Sequence, residues 1–381
     1  MEATGIICEY NPLHLGHKKQ LDAIRIAHPN DGIVCLMSGN YVQRGMPAII
    51  DKSLRAKAAI TCGADLVLEL PITAALSSAE GFAREGVRIL GGFCSRLCFG
   101  AESGNKDTLL TTAKALLSPQ FPQALRDELD KGISFPAARQ AALQKMGLNS
   151  DILTHPNDIL ATEYCKAILA LGFKTEPMVI PRKGNYHDTL ADPENPSATA
   201  LRQLMQAGES WKNYVPAKAK DIFTGAPLHT LSAGEQAILY RLQTMTGDEY
   251  ESLPYGSEGL WRKLMYNARY FSSLDDILSA TKSRRYTRTR LDRMVMCAFL
   301  GITEEGLAAP APYTRVLALN SKGRQLLKAA RQSGLFPNAG EWMDQPYQAL
   351  EHRSGRLYSL FCTDNELPYN EENRRVYYQE D

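Results

Sequence analysis

Two histidines three residues apart are the first candidates for chemistry in this sequence. His14 and His17 enclose Gly16 and directly follow the apolar run of residues 5–10. Imidazoles beside phosphate groups can donate hydrogen bonds to oxygens that gain negative charge when an α-phosphate is attacked. Gly16 has no side chain, so phosphates could come close to the backbone there. The spacing therefore predicts a nucleotide site.

Chance and metal binding are the alternative explanations of so short a motif. A zinc site would need a third cysteine, histidine or carboxylate at a suitable spacing. Near the two histidines only Cys8 and Glu9 qualify, and both fall inside a predicted strand. We therefore expect no metal ligands in this protein.

The neighbouring elements would place the histidines at a strand-to-helix turn. Residues 6–10 have the length and apolar content of a buried strand, and residues 18–25 repeat apolar groups at helical spacing. At the start of a helix the first N–H groups lack partners within the helix, and the helix dipole is positive. A triphosphate is stabilised at such a position.

A second helix start far downstream carries further candidates. Ser197, Thr199 and Arg202 follow a loop rich in turn residues, at 192–196, and open another helical pattern. Taken alone, Ser197 and Thr199 are better explained as an N-cap pair than as ligands. Combined with the histidine turn, they resemble the nucleotidylyltransferase superfamily, which implies that this helix start binds phosphates opposite the histidines. Arg202 would then face the leaving pyrophosphate.

Composition limits the function classes that are possible. The chain has 381 residues, 44% of them hydrophobic, which is enough for two or three domains. Its net charge is +1, so a nucleic acid would have to be bound by a local basic patch. Eight cysteines without a Cys-x-x-Cys pair are typical of reduced thiols. We expect a cytoplasmic protein with no signal peptide and no membrane-spanning segment.

Strand and helix patterns alternate through the first half of the chain. Further strands are predicted at 32–39, 65–70, 96–100 and 176–180. This alternation predicts an α/β fold with a parallel sheet covered on both faces, whose ligands bind beyond the carboxyl ends of the strands. After residue 210 amphipathic helices dominate, so we divide the chain into a catalytic domain, 1–210, and a mainly α-helical domain, 211–381. One strand candidate at 313–319 could return to the main sheet.

The connection after the second strand is unusually long for packed elements. It extends from residue 38 to 52 and carries Ser38, Asn40, Gln43 and Arg44. Such a loop can cover a site and contact substrate, and the alternative is an ordinary solvated loop. We take these four residues as candidates for a loop that contacts the substrate.

Several longer motifs resemble the bacterial tRNA(Met) cytidine acetate ligase family. The matching segments lie between residues 39 and 187 and are 39–45, 47–52, 63–71, 156–161 with Glu163 and Tyr164, and 182–184 with Tyr186 and His187. They are far more specific than the histidine motif alone. The resemblance implies a Rossmann-like sheet of the nucleotidylyltransferase type.

The activity implied by this resemblance has two steps. ATP and acetate would form acetyl-adenylate, and the acetyl group would pass to N4 of the wobble cytidine of elongator tRNA(Met), giving N4-acetylcytidine. Mg²⁺ is expected to arrive with ATP, because no carboxylate pair identifies a protein-held ion. The alternatives are a small-molecule adenylyltransferase acting on a phosphorylated metabolite and an RNA-binding module that binds ATP without turnover.

The same resemblance implies which residues bind ATP. They form the segment Ile7, Cys8, Glu9, Tyr10, Asn11, Pro12, Leu13, His14, Leu15, Gly16, His17, Lys18, Lys19 and Gln20, joined by Gly100, Asn157, Arg182 and Lys183. We expect Lys18 to act with the two histidines in catalysis. From the residues alone, Asn157 could instead cap a helix and Arg182 could be a surface charge. Acetate is already ionised near neutral pH, so we assign no general base to the first step.

One basic run supports an RNA partner. Its candidate tRNA-binding residues are Lys282, Arg284, Arg285, Tyr286, Arg288 and Arg290. The cations could bind phosphates, and the tyrosine could stack on an unpaired anticodon base. The alternative explanation is a solvated helix face.

Overall fold

A mostly parallel sheet organises the chain in this computed structural model, which describes residues 1–182, 196–331, 346–364, 371 and 374–380. The strands are β1 (Ala3–Cys8), β2 (Gly32–Ser38), β3 (Tyr41–Val42), β4 (Met46–Pro47), β5 (Leu66–Leu70), β6 (Arg96–Ala101), β7 (Glu176–Pro181), β8 (Val316–Asn320) and β9 (Tyr377–Gln379). Seven of these described strands form the main sheet in the order β7-β6-β1-β2-β5-β8-β9, and β3 and β4 form a small hairpin.

Helices connect and cover these strands. They are α1 (Leu15–Ala27), α2 (Lys52–Thr61), α3 (Ile72–Ala75), α4 (Ala79–Leu90), α5 (Lys106–Leu116), α6 (Phe121–Leu129), α7 (Phe135–Lys145), α8 (Pro156–Leu171), α9 (Ala198–Gln206), α10 (Ala217–Phe223), α11 (Glu235–Thr244), α12 (Gly247–Glu251), α13 (Leu260–Tyr270), α14 (Leu274–Thr281), α15 (Arg288–Leu300), α16 (Glu304–Ala308), α17 (Ser321–Ala330) and α18 (Pro346–Tyr358). Within the described ranges, no helix is both long and apolar enough to span a bilayer.

The predicted parallel sheet is confirmed. From β7 to β5 neighbouring strands are parallel, β8 is antiparallel to β5, and β9 is parallel to β8. Every residue of β2 is buried, which explains its continuous apolar run, since a central strand is covered on both faces. The first strand begins and ends earlier than predicted, at Ala3–Cys8 instead of 6–10. Tyr10 has a left-handed φ of 44°, so the chain has already turned there.

Two hydrophobic clusters cover the two faces of the sheet. One contains Leu36 and Leu68 of the sheet with Phe82 of α4. The other contains Ile6 of the sheet with Leu21 of α1. Burial of these side chains is the main favourable contribution to the stability of such layers. The layers fix the carboxyl ends of β1, β2 and β6 side by side, where the predicted site lies.

Helices α11–α15 form a third cluster, together with part of α18. The proposed boundary between residues 210 and 211 stays a prediction, but the segment after it is not purely helical. Strand β8 returns to the main sheet, as its apolar run allowed, and brings β9 with it.

A buried ionic network attaches the C-terminal residues to the sheet. The Lys52 ammonium contacts the Glu69 and Glu371 carboxylates, at 2.7 Å each. The Arg315 guanidinium contacts the same two carboxylates, at 2.8 and 3.0 Å. Burial alone would raise the pKa of Glu69, but the charges of Arg315 and Lys52 lower it to about 2. The Glu69 carboxylate is therefore ionised near neutral pH, and its ion pairs link β5, the start of α2 and β8.

Candidate active site

The two histidines cap the helix that follows β1. His14 is the N-cap of α1, and its Nδ1 accepts the Gly16 N–H at 3.1 Å. In return, the His17 Nδ1 accepts the His14 N–H at 3.3 Å, which completes a capping box. The rings stack with centroids 3.7 Å apart. Each histidine thus satisfies a backbone donor that the helix start would leave without a partner.

Gly16 is required by the ring of His14. A Cβ atom at this position would lie 3.0 Å from the Cε1 of His14 and 3.1 Å from its Nδ1. Such contacts are tighter than ordinary van der Waals contact, so any larger residue would push the imidazole away. The glycine therefore keeps the histidine ring over the first turn of α1, in addition to leaving room for phosphates.

Both histidines are neutral near pH 7. Burial, reinforced by the charges of Arg182 and Arg202, lowers the pKa of His14 to about 3. Burial also lowers the pKa of His17, as do the neighbouring His14 and Arg182. Because each Nδ1 accepts a backbone N–H, the single proton of each neutral ring is on Nε2. Each neutral ring thus offers one N–H donor, and neither histidine has to lose a proton first.

The second predicted helix start lies against the first. Ser197 is the N-cap of α9 and accepts the Ala200 N–H at 3.0 Å, so its expected capping role is confirmed. The guanidinium of Arg202 donates to the carbonyl oxygen of Asn11 at 2.9 Å and to the hydroxyl of Thr199 at 3.1 Å. Arg202 therefore lies beside the β1–α1 turn, although it is 188 residues from His14 in the sequence.

The ends of β6 and β7 bring the next candidates together. A Cβ at Gly100 would lie 2.7 Å from the Cδ of Arg182, so the glycine makes room for that side chain. Arg182 donates to the Oδ1 of Asn157 at 3.1 Å, and the Asn157 amide donates to Glu102 at 2.6 Å. Asn157 lies inside the first turn of α8, whose N-cap is His155, so it does not cap this helix. Lys183 lies outside the described residues.

Other members of the predicted ATP segment are engaged within the protein. The Lys18 ammonium forms an ion pair with Asp22 one turn along α1, and its expected catalytic role stays a prediction. The Gln20 amide donates to the carbonyl oxygen of Cys98 at 3.3 Å and connects α1 to β6. Lys19 is exposed. The histidines and arginines are therefore the strongest candidates for contacts to the phosphates.

The long connection after β2 is a buried hairpin and not a solvated loop. Strands β3 and β4 pair within it, and the Gln43 N–H donates to the Glu9 carboxylate at 2.8 Å. Arg44 follows in the turn of the hairpin. Ser38 and Asn40 are buried, and neither the Ser38 hydroxyl nor the Asn40 Nδ2 has a hydrogen-bond partner among the described residues. Buried polar atoms without partners are costly, so a ligand at this strand edge would stabilise them.

Arg55 is a positioning residue that the sequence analysis missed. This fully buried guanidinium on α2 donates to the carbonyl oxygens of Glu9 at 2.6 Å, Ser38 at 3.1 Å and Ile50 at 2.8 Å, and also to that of Gly39. It therefore joins the ends of β1 and β2. Nothing in the sequence around it distinguishes this arginine from a surface charge.

Part of the basic run is paired within the protein, and its role in binding RNA stays a prediction. Arg285 pairs with Glu258 at 3.0 Å, and Tyr286 donates to the same carboxylate at 2.6 Å. Arg290 donates to the Tyr255 carbonyl and lies over the Tyr286 ring at 4.9 Å.

The remaining residues of the run differ from one another. Arg288 is held between Asp275 at 2.9 Å and Asp292 at 3.0 Å. Lys282 and Arg284 are exposed in the connection between α14 and α15, and their side chains form no ion pair with any described residue. The run is therefore neither one continuous helix face nor a uniformly free patch.

Among the described residues, no group of three or more histidines, cysteines or carboxylates lies close enough together to hold a metal ion. The carboxylates nearest the strand ends already accept backbone N–H groups: Glu9 from Gln43, Glu102 from Asp158, and Asp158 from Ser103. The donor set at this edge does not fit a protein-held Mg²⁺.

Comparison with known proteins identifies the family. A model of the HIGH nucleotidyl transferases matches residues 1–373. A tRNA(Met) cytidine acetate ligase of Clostridium novyi is 38% identical over 88% of this chain and 89% of the relative, and one of Clostridium acetobutylicum is 36% identical over 94% and 96%. The chain belongs to the tRNA(Met) cytidine acetate ligase family.

Solved structures agree with this assignment. The apo crystal structure of Thermotoga maritima TmcAL superposes with a TM-score of 0.92 at 29% identity, and the alignment covers both chains completely. The same protein bound with alpha-thio ATP matches with a TM-score of 0.89 at 28% identity, again over both whole chains. The expected nucleotidylyltransferase fold of this family member is thereby confirmed.

Proposed function

We propose that this family member is an ATP-dependent acetate ligase that acetylates N4 of the wobble cytidine of elongator tRNA(Met). The observation that carries the proposal is the pair of stacked, neutral histidines at the start of α1, with Arg202 beside them. This arrangement suits attack at an α-phosphate, and it occurs in a chain similar to named acetate ligases along most of its length.

ATP is the nucleotide proposed for this site. Its phosphates would lie at the N-terminus of α1, where backbone N–H groups and the helix dipole favour negative charge. Arg182 and Arg202 supply two positive charges close to His14. Gly100 and Asn157 would contact the adenosine. The related Thermotoga maritima protein was crystallised with alpha-thio ATP, which supports this choice.

Adenylation would be the first step. An acetate oxygen attacks the α-phosphorus, the bond from that phosphorus to the bridging oxygen breaks, and pyrophosphate leaves with the electron pair. Negative charge grows on the phosphate oxygens during this step, and the Nε2–H groups of His14 and His17 can stabilise it without moving a proton. Acetate enters as the anion, so positioning matters more than base catalysis.

Acetyl transfer would follow. The exocyclic amine of cytidine is a weak nucleophile because its lone pair is delocalised into the ring. The mixed anhydride compensates with a good leaving group: N4 attacks the acetyl carbon, the carbon–oxygen bond to AMP breaks, and the N4 proton is released to water. Ser38 and Asn40, whose buried polar atoms have no partner among the described residues, are the proposed substrate contacts.

Mg²⁺ would enter with the nucleotide. The carboxylates at the strand edge are already used by backbone N–H groups, so we propose no protein ligand for the ion and derive no step through it. We also propose a cytoplasmic location, where its tRNA partner is found and where thiols stay reduced. All eight cysteines lie among the described residues, and none of them forms a disulfide.

Exchange of labelled pyrophosphate into ATP tests the first half of this proposal without RNA. We expect exchange that depends on acetate and does not require tRNA. An exchange rate that does not depend on acetate but rises with phosphorylated metabolites would instead identify a small-molecule adenylyltransferase. ATP binding without any exchange under either condition would indicate a binding module.

A further inference from the structure

The outward face of α13 combines cations with exposed aromatic rings. Arg262, Lys263, Tyr266, Arg269 and Tyr270 are all exposed and follow the spacing of one helix face. Helix α13 contains no acidic residue. In a chain whose net charge is +1, this face is a local concentration of positive charge.

The cations on this face are not neutralised. Arg262 lies over the ring of Trp261 at 4.9 Å, and Lys263 donates to the backbone carbonyl of Lys282. No carboxylate among the described residues pairs with Arg262, Lys263 or Arg269. The basic run behaves differently, because two of its four arginines, Arg285 and Arg288, are paired with carboxylates. An uncompensated cluster of this kind attracts a polyanion.

The two tyrosines give the face a second property. Tyr266 is 59% exposed and Tyr270 69% exposed, and their ring centroids are 4.4 Å apart. Exposed aromatic rings beside arginines are typical of surfaces on which unpaired nucleobases stack. Double-stranded nucleic acid or an acidic protein would use the charges but would not need the rings.

The face continues toward the candidate active site. Lys263 contacts the carbonyl of Lys282, and the connection that begins at Lys282 leads into α15. Helix α15 packs against the hairpin after β2, where a Cβ at Gly45 would lie 2.5 Å from the backbone nitrogen of Arg293. The neighbouring Gln43 bonds to Glu9 at the end of β1.

We infer that the α13 face, defined as Arg262, Lys263, Tyr266, Arg269 and Tyr270 with Lys282 and Arg284 beside it, binds the anticodon arm of the tRNA. The cations contact the phosphates, and the tyrosine pair stacks on an unpaired base next to the one that reacts. This inference rests on the proposed function for its substrate. It moves the main RNA contact from the basic run to α13.

Two variants test the surface with the full-length enzyme. One carries R262A, K263A and R269A, and the other carries Y266A and Y270A. A matched charge control carries K114A, R126A and K174A, which removes three exposed cations from the part of the chain before residue 182. F135A removes a 52% exposed aromatic ring from α7 as the aromatic control. The probe is an unmodified elongator tRNA(Met) transcript, compared with one that lacks the anticodon arm.

We expect the charge variant to bind the complete transcript at least about tenfold more weakly. The slope of its salt dependence should be shallower by about 0.7 to 0.9 for each phosphate that the variant no longer neutralises. The tyrosine variant should lose about fivefold or more in affinity for each stacked base. Both variants should keep acetate-dependent pyrophosphate exchange and bind the armless transcript as the wild type does.

Binding by both variants that equals that of their controls would overturn the inference. If the wild type acetylates tRNA and both variants acetylate it equally well, the inference is also overturned, but the proposed function stands. Conversely, a wild type that binds tRNA through α13 but never acetylates it would contradict the proposed function alone.

Discussion

Replacing His17 separates the chemical role of the histidine pair from its structural role. The Nδ1 of His17 caps the His14 N–H at 3.3 Å, while its Nε2–H is the donor proposed for the reacting phosphate. Alanine removes both functions. Glutamine at the third helical position can still accept the N-cap N–H, so it restores the capping box without restoring the imidazole.

The expected magnitudes differ for the two roles. Loss of a capping interaction costs about 1 kcal/mol of stability. Loss of one hydrogen-bond donor to a developing oxyanion costs about 100- to 1000-fold in rate. His17→Ala should therefore be slightly less stable and at least about 100-fold slower, whereas His17→Gln should match the wild type in stability and be equally slow.

The assay is acetate-dependent pyrophosphate exchange, paired with thermal unfolding of each variant. His28→Ala, at the other end of α1, is the control and should exchange at the wild-type rate. A His17→Gln variant that exchanges as fast as the wild type would refute the donor role. Equal loss of stability in both His17 variants would refute the capping argument.

Three further predictions follow from the same geometry. Gly16→Ala should slow exchange by about tenfold, because displacement of a catalytic group by 1 Å costs up to about 100-fold. Thermal unfolding should show no loss of stability, since alanine favours a helix. An unchanged rate of exchange would contradict this prediction. The pKa of His14 is about 3 in the folded state, so the unfolded chain takes up the proton first and stability falls as the pH drops below about 6.5. His14 contributes about 2 kcal/mol to this loss between pH 7 and 5. Denaturant titrations should find a loss that is smaller by that amount in His14→Gln than in the wild type, because the buried His17 still contributes. Arg55→Lys cannot reach all four carbonyl oxygens, so urea unfolding should show a loss of about 2 to 4 kcal/mol, and a stable variant would show that those bonds are dispensable.

The sequence predicted the sheet well because its central strands are buried on both faces. Residues 32–38 of β2 form an uninterrupted apolar run. In an α/β protein such a run is stable as a central strand that is covered on both faces. The end of β1 was harder to predict, because Tyr10 is apolar enough for a strand and only its left-handed φ reveals the turn. The sequence left open whether β8 returns to the main sheet, since its apolar run at 313–319 resembled those of the other strands.

The candidate site could be predicted as a set of residues but not as a geometry. The spacing of His14 and His17 indicated phosphate chemistry, yet histidine is not a usual N-cap, so their mutual capping could not be expected. Arg55 was missed because its four partners are backbone carbonyls, which no side-chain pattern records. Lys18 pairs with Asp22 one turn along α1, and its catalytic role stays a prediction.

The basic run shows why a cluster of charges in the sequence is a weak predictor of a positively charged surface on the folded protein. Glu258 and Asp275, which hold Arg285 and Arg288, lie outside the run and become neighbours only after folding. The cations of α13 are interleaved with apolar core positions, so they form no run in the sequence. The helix places them on one face.

Transfer of labelled acetate into unmodified tRNA(Met), with and without ATP and followed by nucleoside analysis, is the most direct test of the central claim. The account predicts label in N4-acetylcytidine at the wobble position only when ATP is present. Label that never enters RNA, although pyrophosphate is still released with phosphorylated metabolites, would contradict it.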